Sequence, residues 1–208
     1  MAAVTPESAG SDVVLGADAR PRCPWVGAGE RAPTDYRSYH DDEWGVAVHG
    51  EHALLERLCL EAFQSGLSWL TILRKRDDFR RAFARFDPDV VAAYTALDVE
   101  ALMQDASIVR NRRKIEATIA NARATVALRS GGGLDALFWS ARPRGHTRPE
   151  TMAQVPSRTE ESAALAASLK SAGFAHLGPT TVYAAMQACG VVDDHVVGCF
   201  RARPDPPA

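Results

Sequence analysis

Four side chains near opposite ends of this 208-residue chain share one chemistry: Cys23 and His40 early, His195 and Cys199 late. His195 and Cys199 stand four apart in DDHVVGC, a separation that on a helical turn aims both at one ion. With Cys23 and His40 they complete a tetrahedral Cys₂His₂ set. Such a set leaves no open position for substrate and is structural, not catalytic. It would also tie the ends of the chain together and leave the chemistry to other residues. Spacing alone keeps a second option open, because the sixteen residues between Cys23 and His40 do not match a zinc finger. That option is two separate buried thiols and two ordinary histidines.

The length suits one large domain or two small lobes. A content of 46% hydrophobic and 24% charged residues is that of a soluble globular protein. Residues 1–20 are small, polar and acidic, which predicts a disordered tail without a signal peptide; residues 201–208 read as a second tail, and 21–200 as the folded domain. No apolar run approaches the length of a membrane helix. Glu7, Asp12, Asp18 and Arg20 account for the whole net charge of −2, so the folded part is neutral and bulk charge does not announce a nucleic-acid partner. Cys59 and Cys189 lie in apolar helical runs, with no secreted disulfide pattern. Reduced core thiols point to the cytoplasm.

Hydrophobic periodicity predicts an all-α chain, with helices at about 50–64, 67–73, 77–85, 87–94, 97–105, 111–128, 133–139, 159–172 and 180–189. Residues 142–156 form the one extended loop, and neither a strand pattern nor a repeat is evident. The last two helices flank Leu-Gly-Pro-Thr at 177–180, where Gly178 permits close approach of another backbone and Pro179 suits a first helical position. Free amides there, including that of Thr180, could hold a phosphate oxygen, as in a helix-hairpin-helix clamp. The plain alternative is an ordinary connection between two helices. Arg110, Arg112, Arg113, Lys114, Arg142, Arg144 and Arg148 could extend a phosphate footprint or form a solvated face. Arg74, Lys75 and Arg76 read equally well as a charged helix end.

A carboxylate stands where an apolar residue belongs. Leu54, Leu58 and Glu61 share one helical stripe, which turns Glu61 inward. A buried acid costs several kcal/mol unless it is paired or takes up a proton. It is therefore either a core anchor or a site residue. Trp25, Tyr36, Tyr39, Trp44 and Trp69 supply flat faces close in sequence to the metal-ligand candidates and to Glu61. Flat faces and one acid make a pocket for a flat, polar-edged ligand, and a nucleobase fits. A hydrophobic satellite core around the metal would use the same aromatics.

RCPWV at 22–26, DYRSYHDDEWGV at 35–46, LCLEAFQSGLSWLTILRKR at 58–76, DASIVRNRRKI at 105–115 and LGPTTVYAAMQACGVVDDHVVGC at 177–199 together resemble the DNA-3-methyladenine glycosylase I family. The resemblance spans about 21–200 in the family's order. It implies a helix-hairpin-helix glycosylase fold of two helical lobes, with one structural zinc on Cys23, His40, His195 and Cys199. It also implies a monomer that binds double-stranded DNA containing alkylated adenine, flips out 3-methyladenine and releases it as free base by hydrolysis. Glu61 would then be the catalytic carboxylate, with Trp25, Tyr36, Tyr39, Trp44 and Trp69 binding the base and Gly178, Pro179 and Thr180 the DNA backbone. Three residues depart from the family's usual pattern: Ala62 and Ser107 stand for glycines, and Asp193 for an asparagine.

In that reading the cationic base gains from π faces, and Glu61 favours its charge over neutral adenine. Asp193 and Asp194 are the other acids that could activate water. Two rival classes remain: a zinc-stapled module that only binds DNA or purine, and a zinc hydrolase with water on the metal. Retained binding after loss of Glu61 would favour the first, and an open coordination position the second.

Overall fold

The structure, a computed structural model, describes residues 12–30 and 32–202. Ten α-helices account for most of it: α1 Thr34–Asp42, α2 Glu51–Gln64, α3 Trp69–Arg74, α4 Arg76–Ala82, α5 Pro88–Ala92, α6 Ala96–Gln104, α7 Arg112–Leu128, α8 Gly133–Trp139, α9 Glu160–Ser171 and α10 Pro179–Ala188. The fold is mainly helical, as the periodicity predicts. Its helix starts follow local chemistry. Ser68 accepts from the Thr71 amide, Asp87 caps α5 ahead of Pro88, and Asn111 accepts from the Lys114 amide at the head of α7.

α2 is the central helix, packed by α7, α10, α8 and α3, while α9 lies against α10 and α5 against α7. Leu54, Leu55, Leu58, Cys59, Leu60 and Phe63 of α2 are fully buried. Phe63 meets Phe79 at 4.5 Å between ring centres, and Phe83 and Phe86 continue the aromatic row. A second, smaller core gathers Cys23, Val196 and Cys199. Gly190, at φ 72°, turns the chain after α10 against the 45–47 backbone, where an added Cβ would fall 2.6 Å from the Gly45 carbonyl.

Three sequence expectations need correction. Residues 34–42 are helical, although the segment lacks an apolar stripe and reads as loop. Residues 12–20 are not a disordered tail: Val14–Leu15 (β1) pairs antiparallel with Pro21–Arg22 (β2), the short strands that the sequence pattern misses. The rest of the proposed tails, 1–11 and 203–208, lies outside the described residues. Lys114 is not part of a phosphate footprint. Its buried ammonium donates to the carbonyls of Phe63 at 2.8 Å and Ser65 at 2.7 Å, closing the C-terminal end of α2. Among the described residues, no helix is long and apolar enough to cross a membrane.

Candidate active site and metal centre

Glu61 sits three residues from the C-terminal end of α2, on the inward stripe with Leu54 and Leu58, and is 6% exposed. It lines a pocket of about 270 Å³ together with Trp25, Tyr36, Tyr39, Trp44 and Trp69. All six predicted pocket residues therefore meet in one cavity. α1 contributes Tyr36 and Tyr39 from one face, and Tyr36 Oη accepts from the Leu70 amide, which fixes α1 against α3. Trp25 is the hub of the wall. Its ring stands edge-on to Tyr36 at 5.6 Å and to Trp44 at 5.3 Å, while Tyr39 reaches Trp69 at 5.2 Å.

No hydrogen bond to Glu61 is found among the described residues. Burial drives its carboxyl up from 4.5 to about 8, only partly opposed by the Arg57 guanidinium one turn earlier. The Trp69 indole N–H is also buried and unpaired. The pocket thus presents a neutral acid and an N–H donor with no internal partner, an arrangement that costs stability and favours a ligand with a polar edge.

The sequence reading missed Gln64, Met152, Val155, Ala184 and Gln187 in this wall. Gln64 lies one turn beyond Glu61 and was within reach of the same helical argument. The others arrive from distant elements, with no local signal. Asp194, named only as a water-activating candidate, also lines the cavity. It accepts from Tyr183 Oη at 2.7 Å and Gln187 Nε2 at 2.6 Å, and His146 Nε2 lies 3.0 Å away. Burial works to raise the Asp194 carboxyl, but these donors outweigh it and hold the group below its ordinary range. Its bond to His146 in turn raises that imidazole. Two carboxyls in one pocket are therefore pushed apart, Glu61 toward neutrality and Asp194 toward the anion. Asp193 is engaged elsewhere: it accepts from His195 Nδ1 at 2.7 Å and pairs with Arg148 at 3.2 Å.

Behind the aromatic wall, the donor atoms of Cys23, His40 and Cys199 lie within 4.8 Å of one another, all buried, and could hold a metal ion. His195 stands outside that set, with its ring 5.1 Å from that of His40. It lies in an irregular segment after α10, not on a helical turn. Its Nε2 is nevertheless buried without a partner. Both histidines use Nδ1 on a carboxylate, His40 on Asp41 at 2.9 Å and His195 on Asp193, which leaves each Nε2 as the free lone pair. Gly45, at φ 77°, lets the chain pass the His195 ring, since a Cβ there would come within 2.8 Å of it. The Cys23 and Cys199 thiols share a proton: the bond from Cys23 takes Cys199 down to about 4, and the same contact pushes Cys23 up. Donor types, burial and orientation all fit a cation.

Gly178 precedes α10 in extended backbone, and a Cβ built there would meet nothing within 4 Å. Gly178 and Thr180 are exposed, and Pro179 is half-buried. Of the basic candidates, Arg110, Arg113, Arg142 and Arg144 are exposed, whereas Arg112 pairs with Glu100 and Arg148 with Asp193. Arg74 pairs with Asp35 and Arg76 with Glu43, so both act in helix-to-helix ion pairs. Of the atypical residues, Ala62 is buried, and Ser107 Oγ accepts from Arg81 and donates to Asp105.

A family model described as methyladenine glycosylase matches residues 29–202. The chain belongs to this family. It is 46% identical over 182 residues to DNA-3-methyladenine glycosylase 1 of Escherichia coli (strain K12), with 86% of this chain and 95% of the relative covered. A crystal structure of 3-methyladenine DNA glycosylase I superposes with a TM-score of 0.83 at 42% identity, covering 88% of this chain and all of the other. A structure concerned with 3-methyladenine recognition by the Staphylococcus aureus glycosylase I superposes with a TM-score of 0.79 at 32% identity, covering 84% and 94%. The methyladenine glycosylase assignment thus extends over the whole helical body and both walls of the pocket.

Proposed function

We propose that this protein is a monofunctional DNA-3-methyladenine glycosylase that opens base excision repair. The observation carrying the reading is Glu61: a carboxyl without a hydrogen bond, raised by burial, inside an aromatic pocket of nucleobase size. A methyl group on N3 gives the nucleotide's base a positive charge and weakens its bond to the sugar. A flipped-out cationic base meets π faces on several sides and draws the Glu61 proton off, so that an ion pair replaces a buried neutral acid. Neutral adenine gains much less from the same exchange, and discrimination is differential binding. Water adds its hydroxyl to the sugar C1′ and its proton to the departing base, leaving an abasic site and free 3-methyladenine. Asp194, buried and held as the anion, is the carboxylate in the right state to orient that water, whereas Asp193 is committed to His195.

The reading includes one structural zinc on Cys23, His40, His195 and Cys199. The unpaired His195 Nε2 beside the Cys/His/Cys cluster supports this fourth ligand. With four protein ligands the ion would supply rigidity at the back of the pocket and no chemistry. The α9–α10 pair would act as a helix-hairpin-helix clamp, with Gly178, Pro179 and Thr180 on the backbone of double-stranded DNA. The open space at Gly178 supports that role. Two helical lobes would flank the pocket. Every pocket wall comes from a single chain, which supports a monomer, and four buried free thiols support a reducing, cytoplasmic setting.

The test is incubation with alkylated duplex DNA followed by chromatography of the released bases. Release of 3-methyladenine with an abasic site left behind is the expected result. Binding of methylated DNA without release would overturn the enzyme reading in favour of a binding module.

A further inference from the structure

Residues 12–22 form a brace whose far end touches the base pocket. Arg22 is buried with its guanidinium clamped between two carboxylates, Asp18 at 2.7 Å and Asp41 at 2.6 and 2.8 Å, and covered by the Phe200 ring at 5.3 Å. The Phe200 amide donates to the Pro21 carbonyl, and the Gly29 amide to that of Leu15. Charge-assisted bidentate pairs of this kind fix direction as well as distance. From this platform Asp12 reaches across the molecule: its Oδ2 accepts from the Met152 amide at 2.7 Å. Val13 and Met152 pack on the same small core of Cys23, Val196 and Cys199. None of residues 12–22 falls within the 29–202 matched by the family model.

Met152 opens the short 3₁₀ turn Met152–Gln154, inside the long loop that follows α8. With Val155 and Ala184 it forms the aliphatic part of a pocket otherwise walled by aromatic, amide and carboxyl groups. An alkylated purine carries one aliphatic group, its methyl. The polar edge and ring faces can be read by Glu61, Trp69 and the stacked aromatics wherever the methyl lies. The position of the methyl can be read only where an aliphatic surface is held at van der Waals distance. An unbranched thioether fills such a space well but adapts easily, so it selects only if its backbone is fixed. Asp12 fixes that backbone.

We infer that Met152 is a specificity-determining residue of the base pocket and that Asp12 is the residue that positions it. The inference rests on the glycosylase reading for the identity of the base, but its geometry is separate from Glu61 and from the metal ligands.

The test uses the full chain with Asp12→Ala, Asp12→Asn, Met152→Ala and the Asp12→Ala/Met152→Ala double variant. Binding of free 3-methyladenine is followed by tryptophan fluorescence, and release of 3-methyladenine and 7-methylguanine from alkylated duplex is measured alongside. Melting temperature and bound metal are recorded for each protein. Met152→Ala and Asp12→Ala should each weaken free-base binding on the order of fivefold to tenfold and narrow the preference for 3-methyladenine. The double variant should be no weaker than Met152→Ala, since Asp12 acts through Met152. Asp12→Asn keeps an oxygen acceptor and should restore binding. KM should rise more than kcat falls. Additive losses in the double variant, or an Asp12→Ala protein with a lowered melting temperature and unchanged affinity and preference, would overturn the positioning role. Unchanged preference in Met152→Ala would overturn the specificity role. Absence of base release by the unaltered protein would instead overturn the glycosylase reading, and the free-base titration distinguishes the two failures.

Discussion

Glu61→Gln should stabilise the fold while disabling the site. Gln keeps the shape of the side chain and removes its titration. Burial raises the carboxyl from 4.5 to about 8 in the folded chain, whereas the unfolded chain ionises near the ordinary value. Between these pH values the folded chain holds the extra proton, so stability is lost as pH rises across that window. At pH 7 the loss amounts to about 3 kcal/mol, at 1.36 kcal/mol for each pH unit above the unfolded value. Urea denaturation of both proteins from pH 4 to pH 9 measures it. The variant's advantage should be smallest at pH 4, grow through neutrality and level off above pH 8. In parallel, release of 3-methyladenine should fall at least tenfold, about 1.4 kcal/mol of transition-state stabilisation. A pH-independent stability difference would refute the argument that desolvation governs Glu61. Wild-type excision by the variant would make Glu61 an anchor and pass the catalytic assignment to Asp194, tested by Asp194→Asn.

Chelation should remove one zinc per chain and lower the melting temperature by roughly 10 °C; metal analysis and calorimetry check it, and purified protein devoid of metal would contradict it. Gly178→Phe should weaken binding to all duplex sequences about equally, by on the order of tenfold per lost set of phosphate contacts, with unchanged melting because a Cβ there is unobstructed. Equal loss of free-base binding in that variant would assign the hairpin to the fold alone. Gly190→Ala should destabilise the protein by at least about 2 kcal/mol, read by urea denaturation, since its Cβ would meet the 45–47 backbone in a left-handed conformation. Wild-type stability would show that this turn shifts freely.

The parts of the site that the sequence revealed are those where a residue breaks a local rule. Glu61 interrupts an apolar stripe, and its burial follows from its two leucine neighbours on α2. Cys and His are scarce, so four of them at the chain ends stand out, although the placement of His195 in irregular backbone does not follow from its spacing to Cys199. Residues that break no rule stayed hidden. Lys114 follows Arg112 and Arg113 and looks like a third surface cation, yet only the approach of α7 to the end of α2 makes it a buried cap. Helix α1 escaped because its stability comes from aromatic packing on Trp25 and α3 rather than from periodicity. Met152 and Asp12 lie 140 positions apart and become neighbours only when both ends of the chain are in place.

The pocket walls come from four separated stretches: the 25–44 segment, the end of α2 with the start of α3, the 152–155 turn, and α10 with the segment behind it. No single stretch can recognise a base, and local opening of any one of them dismantles the whole cavity. A ligand seated there acts as a keystone. It should slow amide exchange and proteolysis in distant helices as well as beside itself, because each partly opened form forfeits the full binding energy. Fragments or circularly opened chains that separate these stretches should lose the ligand entirely, in a single step and without a weaker intermediate affinity.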